Sequence, residues 1–352
     1  MNRFYIFFVI TFLSLLSISC EKEGHYTGLP KDNFEALWKI IDEHYCFFEY
    51  KDIDWDEVHN RYALQVSDTM NQYELFDLFG TMLGELKDGH TNLFSSFDVS
   101  RYWKWYEDYP NNFMEQLVIG SQSKYLGTDY KIAGGAKYKV FPKGMIAGQT
   151  DSIGYFLYQS FSSGVGETNL DYMLYAFKDC KALIIDIRNN GGGSLLNSDR
   201  IASRFVEEKI LCGYLKHKTG PGHEQFSEPF PLYLEPSLSR IMWFRPVVVL
   251  TNRRCYSAAN DFVNKMKLLP NVTIMGDRTG GGSGFPFHSE LPNGWGVRFS
   301  TSPMLDANMK DTEHGIDPDI HVHLDLDAAE KGEDSMINAA INHLLQENSE
   351  NK

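Results

Sequence analysis

The chain is poor in cysteine, with five in 352 residues. Cys20, Cys46, Cys180, Cys212 and Cys255 stand at wide, irregular intervals, which gives neither a CxxC metal pattern nor a dense disulfide framework. One or two bridges, or a set of small buried side chains, remain open for the last four. Basic residues are scarce too: 33 Lys and Arg face 47 Asp and Glu, for a net charge of −14. A nucleic-acid partner needs a basic stripe, and none is present. The chain also lacks an HExxH pair, and His321 and His323 alternate without further ligands in register, so no metal site is expected. No G-x-S-x-G elbow surrounds any serine, which weakens an esterase of the α/β-hydrolase type. Internal repeats and low-complexity tracts are missing as well. With 43% hydrophobic and 23% charged residues, the composition is that of an ordinary globular chain with a sizeable core.

What is present begins with the leader "MNRFYIFFVITFLSLLSISC". One early arginine, an apolar run from Phe4 to Leu16 and small residues before Cys20 form the layout of an export signal. The run is short for a membrane span, which needs about 20 residues. Its final cysteine resembles a bacterial lipoprotein cleavage site, with Ser17 where a leucine is usual. Residues 1–20 are therefore expected to be a lipoprotein signal peptide, residues 21–31 a polar linker, and the protein to sit lipid-anchored in a bacterial cell envelope.

From Asp32, a plausible helix cap, Phe34, Leu37, Ile40, Ile41 and Tyr45 form a helical stripe that opens a helical unit over 32–94. Residues 95–150 read as a connecting β-rich segment, with an aromatic cluster from Tyr102 to Tyr109 that suits either a ligand wall or core. Over 151–352, apolar strands alternate with helical segments, the pattern of an α/β core, and the tail reads as a final amphipathic helix.

Three stretches of this core carry candidate chemistry. "PVVVLTN" (246–252) has the composition of a buried strand, and Ala258, Ala259, Phe262, Val263 and Met266 recur at helical spacing behind it. Ser257 at the junction is either a helix cap or a nucleophile whose oxyanion the helix N-terminus helps to hold. Cys255, two residues earlier, is a minor alternative nucleophile. "LIIDIRNNGGGS" (183–194) ends a strand in glycines, either as a tight turn or as a place where amides of Gly192 or Gly193, paired with that of Ala258, bind an oxyanion. No lysine follows at P-loop spacing. "ELKDGHTNLF" (85–94) sets His90 after an Asp-Gly turn, a position suited to a base projecting into a cleft.

Together with "MGDRTGGGSG" (275–284) and "GIDPDI" (315–320), these stretches resemble the tail-specific, or C-terminal-processing, serine peptidases and their tricorn-core relatives. The resemblance runs in order over most of residues 32–325. It implies a ClpP/crotonase-like α/β core with an N-terminal helical unit, a peptide or protein substrate and no cofactor. One branch of the family pairs its serine with a lysine in the glycine loop; Gly282 stands where that lysine belongs. The other branch uses a histidine base and a late acid, which implies Ser257, His90 and Glu313, the last just before "HGIDPD". Gly89 occupies a position where tricorn-type members carry serine. The interval 95–150 is too short for a full PDZ domain, so none is expected. A histidine base is expected to set an acid limb in kcat/KM at roughly 6 to 7.5. The alternative is a non-catalytic binding protein for peptide or apolar ligand on the same scaffold. The leader yields the first test: protein expressed in a bacterial host partitions into detergent and loses that behaviour on Cys20→Ala, whereas a mature N-terminus beyond Cys20 with no lipid mass contradicts the anchor.

Overall fold

The structure is a computed structural model that describes residues 27–350; Cys20 and the leader lie outside the described residues. The chain opens with α1 (Pro30–His44), α2 (Phe48–Lys51), α3 (Trp55–Ala63) and α4 (Gln72–Gly84). Their starts follow local chemistry. Asp54 caps α3 by accepting from the Glu57 amide, and Asn71 and Glu74 form a reciprocal capping box on α4. Asp32 does not cap α1. Pro30, whose fixed φ suits the first helical turn, starts the helix earlier, so Asp32 falls inside it and accepts from Thr27 instead. Phe34, Leu37 and Ile41 pack with Phe79 and Leu83 in one buried cluster that also takes in Val297 and Phe299.

The chain continues through β1 (Asn92–Phe94), β2 (Val99–Arg101), α5 (Lys104–Glu107), α6 (Glu115–Val118), β3 (Lys131–Ala133), β4 (Ala136–Phe141) and β5 (Ile153–Leu157). The core follows as α7 (Glu167–Ala176), β6 (Ala182–Asp186), α8 (Leu195–Ala202), β7 (Ile210–Leu215), β8 (Phe230–Leu234), β9 (Val247–Thr251) and α9 (Ala258–Met266). It closes with β10 (Val272–Gly276), β11 (Gly284–Glu290), β12 (Gly296–Leu305), β13 (Ile320–His321), α10 (Leu326–Glu330) and α11 (Ser335–Glu350).

The larger sheet has the order β13-β10-β9-β6-β5-β4-β3. From β5 to β13 the neighbours run parallel, and β4 and β3 are added antiparallel. Every residue of β5, β6 and β9 is buried, as a parallel sheet covered on both faces requires. Phe262, Val263 and Met266 of α9 pack on one face, and Ile337, Ile341 and Leu344 of α11 on the other. The smaller sheet, β2-β1-β12-β7-β8 with β11 also on β12, joins the helical unit to this core. The result is the mixed α/β architecture with an N-terminal helical unit that the sequence leads one to expect. Residues 95–150 are shared between the sheets: β2 joins the smaller one, while β3 and β4 extend the larger.

Arg188, one turn beyond β6, is fully buried and pairs with Asp186 at 2.6 Å and Asp334 at 2.9 Å. It ties the end of β6 to the start of α11. Because β6, β9 and β10 are parallel neighbours, their C-terminal ends lie side by side, and the loops 187–194, 252–257 and 277–283 meet there. Open α/β sheets bind ligands at this edge.

Candidate active site

Ser257 closes the turn between β9 and α9 with φ 58° and ψ −120°, a left-handed conformation that costs a non-glycine residue about 1–3 kcal/mol. It occupies the cap position of α9, yet its side chain makes no capping hydrogen bond. The turn is fixed from both sides by main chain. The Tyr256 amide donates to Asn190 O at 3.1 Å, the Ser257 amide to Gly281 O at 2.8 Å, and the Gly280 amide to Cys255 O at 2.7 Å. Two arginines precede the turn. Arg253 donates to the carbonyls of Trp105 and Thr279, both at 2.7 Å, and His314 at 3.2 Å, joining three loops around the serine. Cys255 points away into the core, its Sγ donating to Ile187 O, and burial pushes its thiol up to about 12.

Of the amides expected to hold an oxyanion, that of Gly192 is committed elsewhere: it donates to Asn190 Oδ1 at 3.0 Å. Among the described residues, those of Gly193 and Ala258 have no acceptor. Gly192 itself packs on the turn, and a Cβ there would lie 2.5 Å from Tyr256 O and 2.8 Å from the Ser257 side chain. No larger residue fits.

His90 follows α4 in a turn that Asp88 builds, its Oδ1 accepting the His90 amide at 2.7 Å and its Oδ2 the Ser300 hydroxyl at 2.8 Å. The imidazole packs edge-on against Tyr256, centroids 5.0 Å apart, and its Nδ1 is buried without a partner. His90 and Ser257 line one cleft of about 410 Å³, with Gly192, Gly193, Trp105 and Arg298. Burial, with Arg298 and Lys51 adding to it, pushes the His90 imidazole down to about 4, against the pull of Asp88 and the Gly284 backbone. That value lies below the range of 6 to 7.5 expected for a histidine base, because the imidazole is buried against Tyr256, on which Trp105 stacks at 4.2 Å.

Glu313 is brought near this centre but not onto the imidazole. Its Oε1 accepts from Lys51 at 2.9 Å and its Oε2 from the Ser283 amide at 2.9 Å. Lys51 also lies 3.9 Å from Asp88 Oδ2, so one buried cation sits between two buried carboxylates. Burial raises Glu313 to about 8, with Asp88 adding and Lys51 opposing. At Asp88 burial is outweighed by Lys51, His90 and the hydrogen bonds it accepts, so it is held below the usual carboxylate range. Asp88 thus bears the negative charge nearest His90. Its position within "DGHT" was a signal available in the sequence; Lys51, far upstream on α2, offered none.

Comparison with known proteins gives the family. Residues 152–322 match the model of peptidase family S41, and residues 30–84 that of the tricorn protease C1 domain. The crystal structure of a candidate peptidase from Parabacteroides merdae ATCC 43184 is 64% identical, covers 90% of this chain and 97% of its own, and superposes with a TM-score of 0.83. The chain belongs to peptidase family S41. S41 is a family of serine-type peptidases, so hydrolysis is the class of chemistry to which the chain belongs. Mature CPAF complexed with lactacystin shares the S41 fold at 12% identity, with a TM-score of 0.69 over 90% of this chain and 99% of its own. The photosystem II D1 C-terminal processing protease shares it at 16% identity, with a TM-score of 0.53 over 84% and 93%. A curated protein from Chlamydia trachomatis serovar D is 30% identical over 112 residues, 30% of this chain, and the chain spans only 18% of that relative's length.

Two glycines near the serine lie against the same aromatic pair. A Cβ at Gly282 would lie 2.4 Å from the Tyr256 ring, and one at Gly89 would lie 2.6 Å from Trp105 Nε1 and 2.9 Å from the Tyr256 hydroxyl. The aromatic roof thus fills the space that a lysine at 282 or a serine at 89 would need. Of the lysines after the serine, Lys265 is buried in pairs with Asp261 at 2.5 Å and Asp199 at 2.6 Å, and Lys267 pairs with Asp319 at 2.6 Å. An NMR titration of the histidines checks the electrostatics. His90 stays neutral as pH falls past the ordinary histidine value and takes up its proton near 4; a midpoint at 6 to 7 contradicts the buried, cation-flanked environment.

Proposed function

We propose that the protein is a serine endopeptidase that hydrolyses peptide bonds through an acyl-enzyme on Ser257. The observation that carries this reading is that Ser257, strained and capping nothing, shares a cleft with an imidazole whose Nδ1 has no partner. His90 takes the hydroxyl proton as Ser257 attacks the carbonyl, and the amides of Gly193 and Ala258 receive the oxyanion. Collapse of the tetrahedral species breaks the C–N bond, and His90 returns the proton to the leaving amine. Water then attacks the ester by the same route, regenerating Ser257 and releasing the acid product. The hydrogen bond between Ser257 and His90 forms when substrate fills the cleft, since catalytic pairs commonly close only in the substrate complex.

Asp88 fixes the His90 turn and supplies the nearest negative charge. Glu313 acts through Lys51 and by holding Ser283, a positioning role rather than direct contact with the imidazole. The lysine-free design is supported by Gly282 under Tyr256 and by the engaged Lys265. In this reading no PDZ domain is inserted between the helical unit and the core; among the described residues, 95–150 supply β2, β3 and β4 to the two sheets. Substrate binds extended, adding a strand along an open edge such as β11, so that its main chain supplies most of the affinity. The mature protein works from the bacterial cell envelope, tethered through lipid on Cys20.

Ser257→Ala tests the reading. Peptide hydrolysis disappears, while the thermal midpoint moves by no more than the few degrees that about 1 kcal/mol represents, since the lost hydroxyl caps no helix. Activity that survives Ser257→Ala but vanishes in Cys255→Ala would relocate the nucleophile. A folded protein with no activity towards any peptide and no reaction of Ser257 with a fluorophosphonate favours the binding-protein alternative.

A further inference from the structure

Two cavities meet at Ser257. One is the His90 cleft; the other, of about 160 Å³, has an apolar wall of Leu195, Cys212, Leu232, Met304 and Leu305. Gly193 and Arg298 border both, whereas His90 borders only the first. This asymmetry orients the substrate. The amine that leaves must collect its proton from His90, so the leaving half occupies the His90 cleft. The acyl half, including the side chain next to the attacked carbonyl, then falls on the side of the second cavity.

We infer that this second cavity selects a medium or large apolar side chain, leucine or phenylalanine in size, on the residue that becomes acylated to Ser257. The inference rests on the reading of Ser257 as nucleophile and His90 as base, and adds side-chain selectivity to a site otherwise reading main chain. The volume fits: roughly 150 Å³ is enough to admit benzene, and Asn260, Asn264, Ser283 and Thr312 border the space beside its apolar wall. The residues named above are aliphatic or sulfur-bearing and come from α8, β7, β8 and β12, so this apolar wall is built on sheet and helix. Its one lining carboxylate, Asp261, is only 8% exposed. That group already accepts from Lys265 at 2.5 Å and Ser198 at 2.6 Å. A substrate lysine would have to displace Lys265 to use it. Arg298, the bordering cation, donates to Asn92 at 3.3 Å at the divide between the cavities, not from within the apolar walls.

The test is a set of peptidyl diphenyl phosphonates identical except for alanine, leucine, phenylalanine, lysine or glutamate side chains next to phosphorus. Each reacts with the whole protein, and the adduct is mapped by mass spectrometry. Leucine and phenylalanine probes are expected to inactivate about 10- to 100-fold faster than lysine and glutamate probes, as for other apolar specificity pockets. Leu232→Trp, which fills the cavity, removes the advantage of the phenylalanine probe over the alanine probe. Should that variant fail to fold, Met304→Trp narrows the same space from β12. Equal rates, or a lysine or glutamate probe reacting fastest at Ser257, overturn the pocket assignment while leaving the nucleophile in place. If no probe modifies Ser257, the nucleophile reading fails and the inference with it.

Discussion

Everything at the site depends on the main chain of Tyr256 and Ser257 being held from two sides. The Asn190 carbonyl takes one amide and the Gly281 carbonyl the next, so the loops after β6 and β10 clamp the turn after β9. That clamp holds Ser257 in a left-handed conformation and keeps its hydroxyl out of the capping geometry otherwise natural to a serine at a helix start. The clamp exists because three parallel strands end side by side, and the burial of β6 and β9 fixes those ends. Arg188 extends the same order to α11 through two buried carboxylates. Removing one member of such a cluster leaves an uncompensated charge, which is why this group reads as a register device for the sheet edge.

The electrostatics around His90 follow from the same enclosure. With Tyr256 and Trp105 above it and Arg298 and Lys51 nearby, the imidazole is stable in its neutral form, the form a general base needs. Lys51 offsets the charge of Asp88 and Glu313, and the two acids separate in behaviour: Asp88 is held ionised and Glu313 is pushed up. A base poised far below neutrality is a weaker proton acceptor than one near 7.

Much of this was legible in the sequence because it rests on local pattern. Fully buried parallel strands read as continuous apolar runs, so β6 and β9 were found, and the stripe on α9 was regular. Glycines at strand ends marked the loops that meet at the serine. What stayed hidden depends on residues far apart or on a single rotamer. The Lys51 to Glu313 pair spans 262 positions. The commitment of the Gly192 amide depends on how the Asn190 side chain turns, and the burial of His90 on aromatic rings from α5 and the loop after β9. The choice between cap and nucleophile at Ser257 could not be made from spacing, because the residue does sit at the cap position and only its backbone angle separates the two roles.

The central claim is that this clamped turn presents Ser257, and no neighbour, to an acyl group. Acid quench of the protein during turnover of a slow p-nitrophenyl ester, followed by peptide mapping, addresses it directly. The account predicts a single acyl group on Ser257, accumulating in the first turnover. Acyl on Cys255, or steady hydrolysis with no acylated residue at any time, would contradict it.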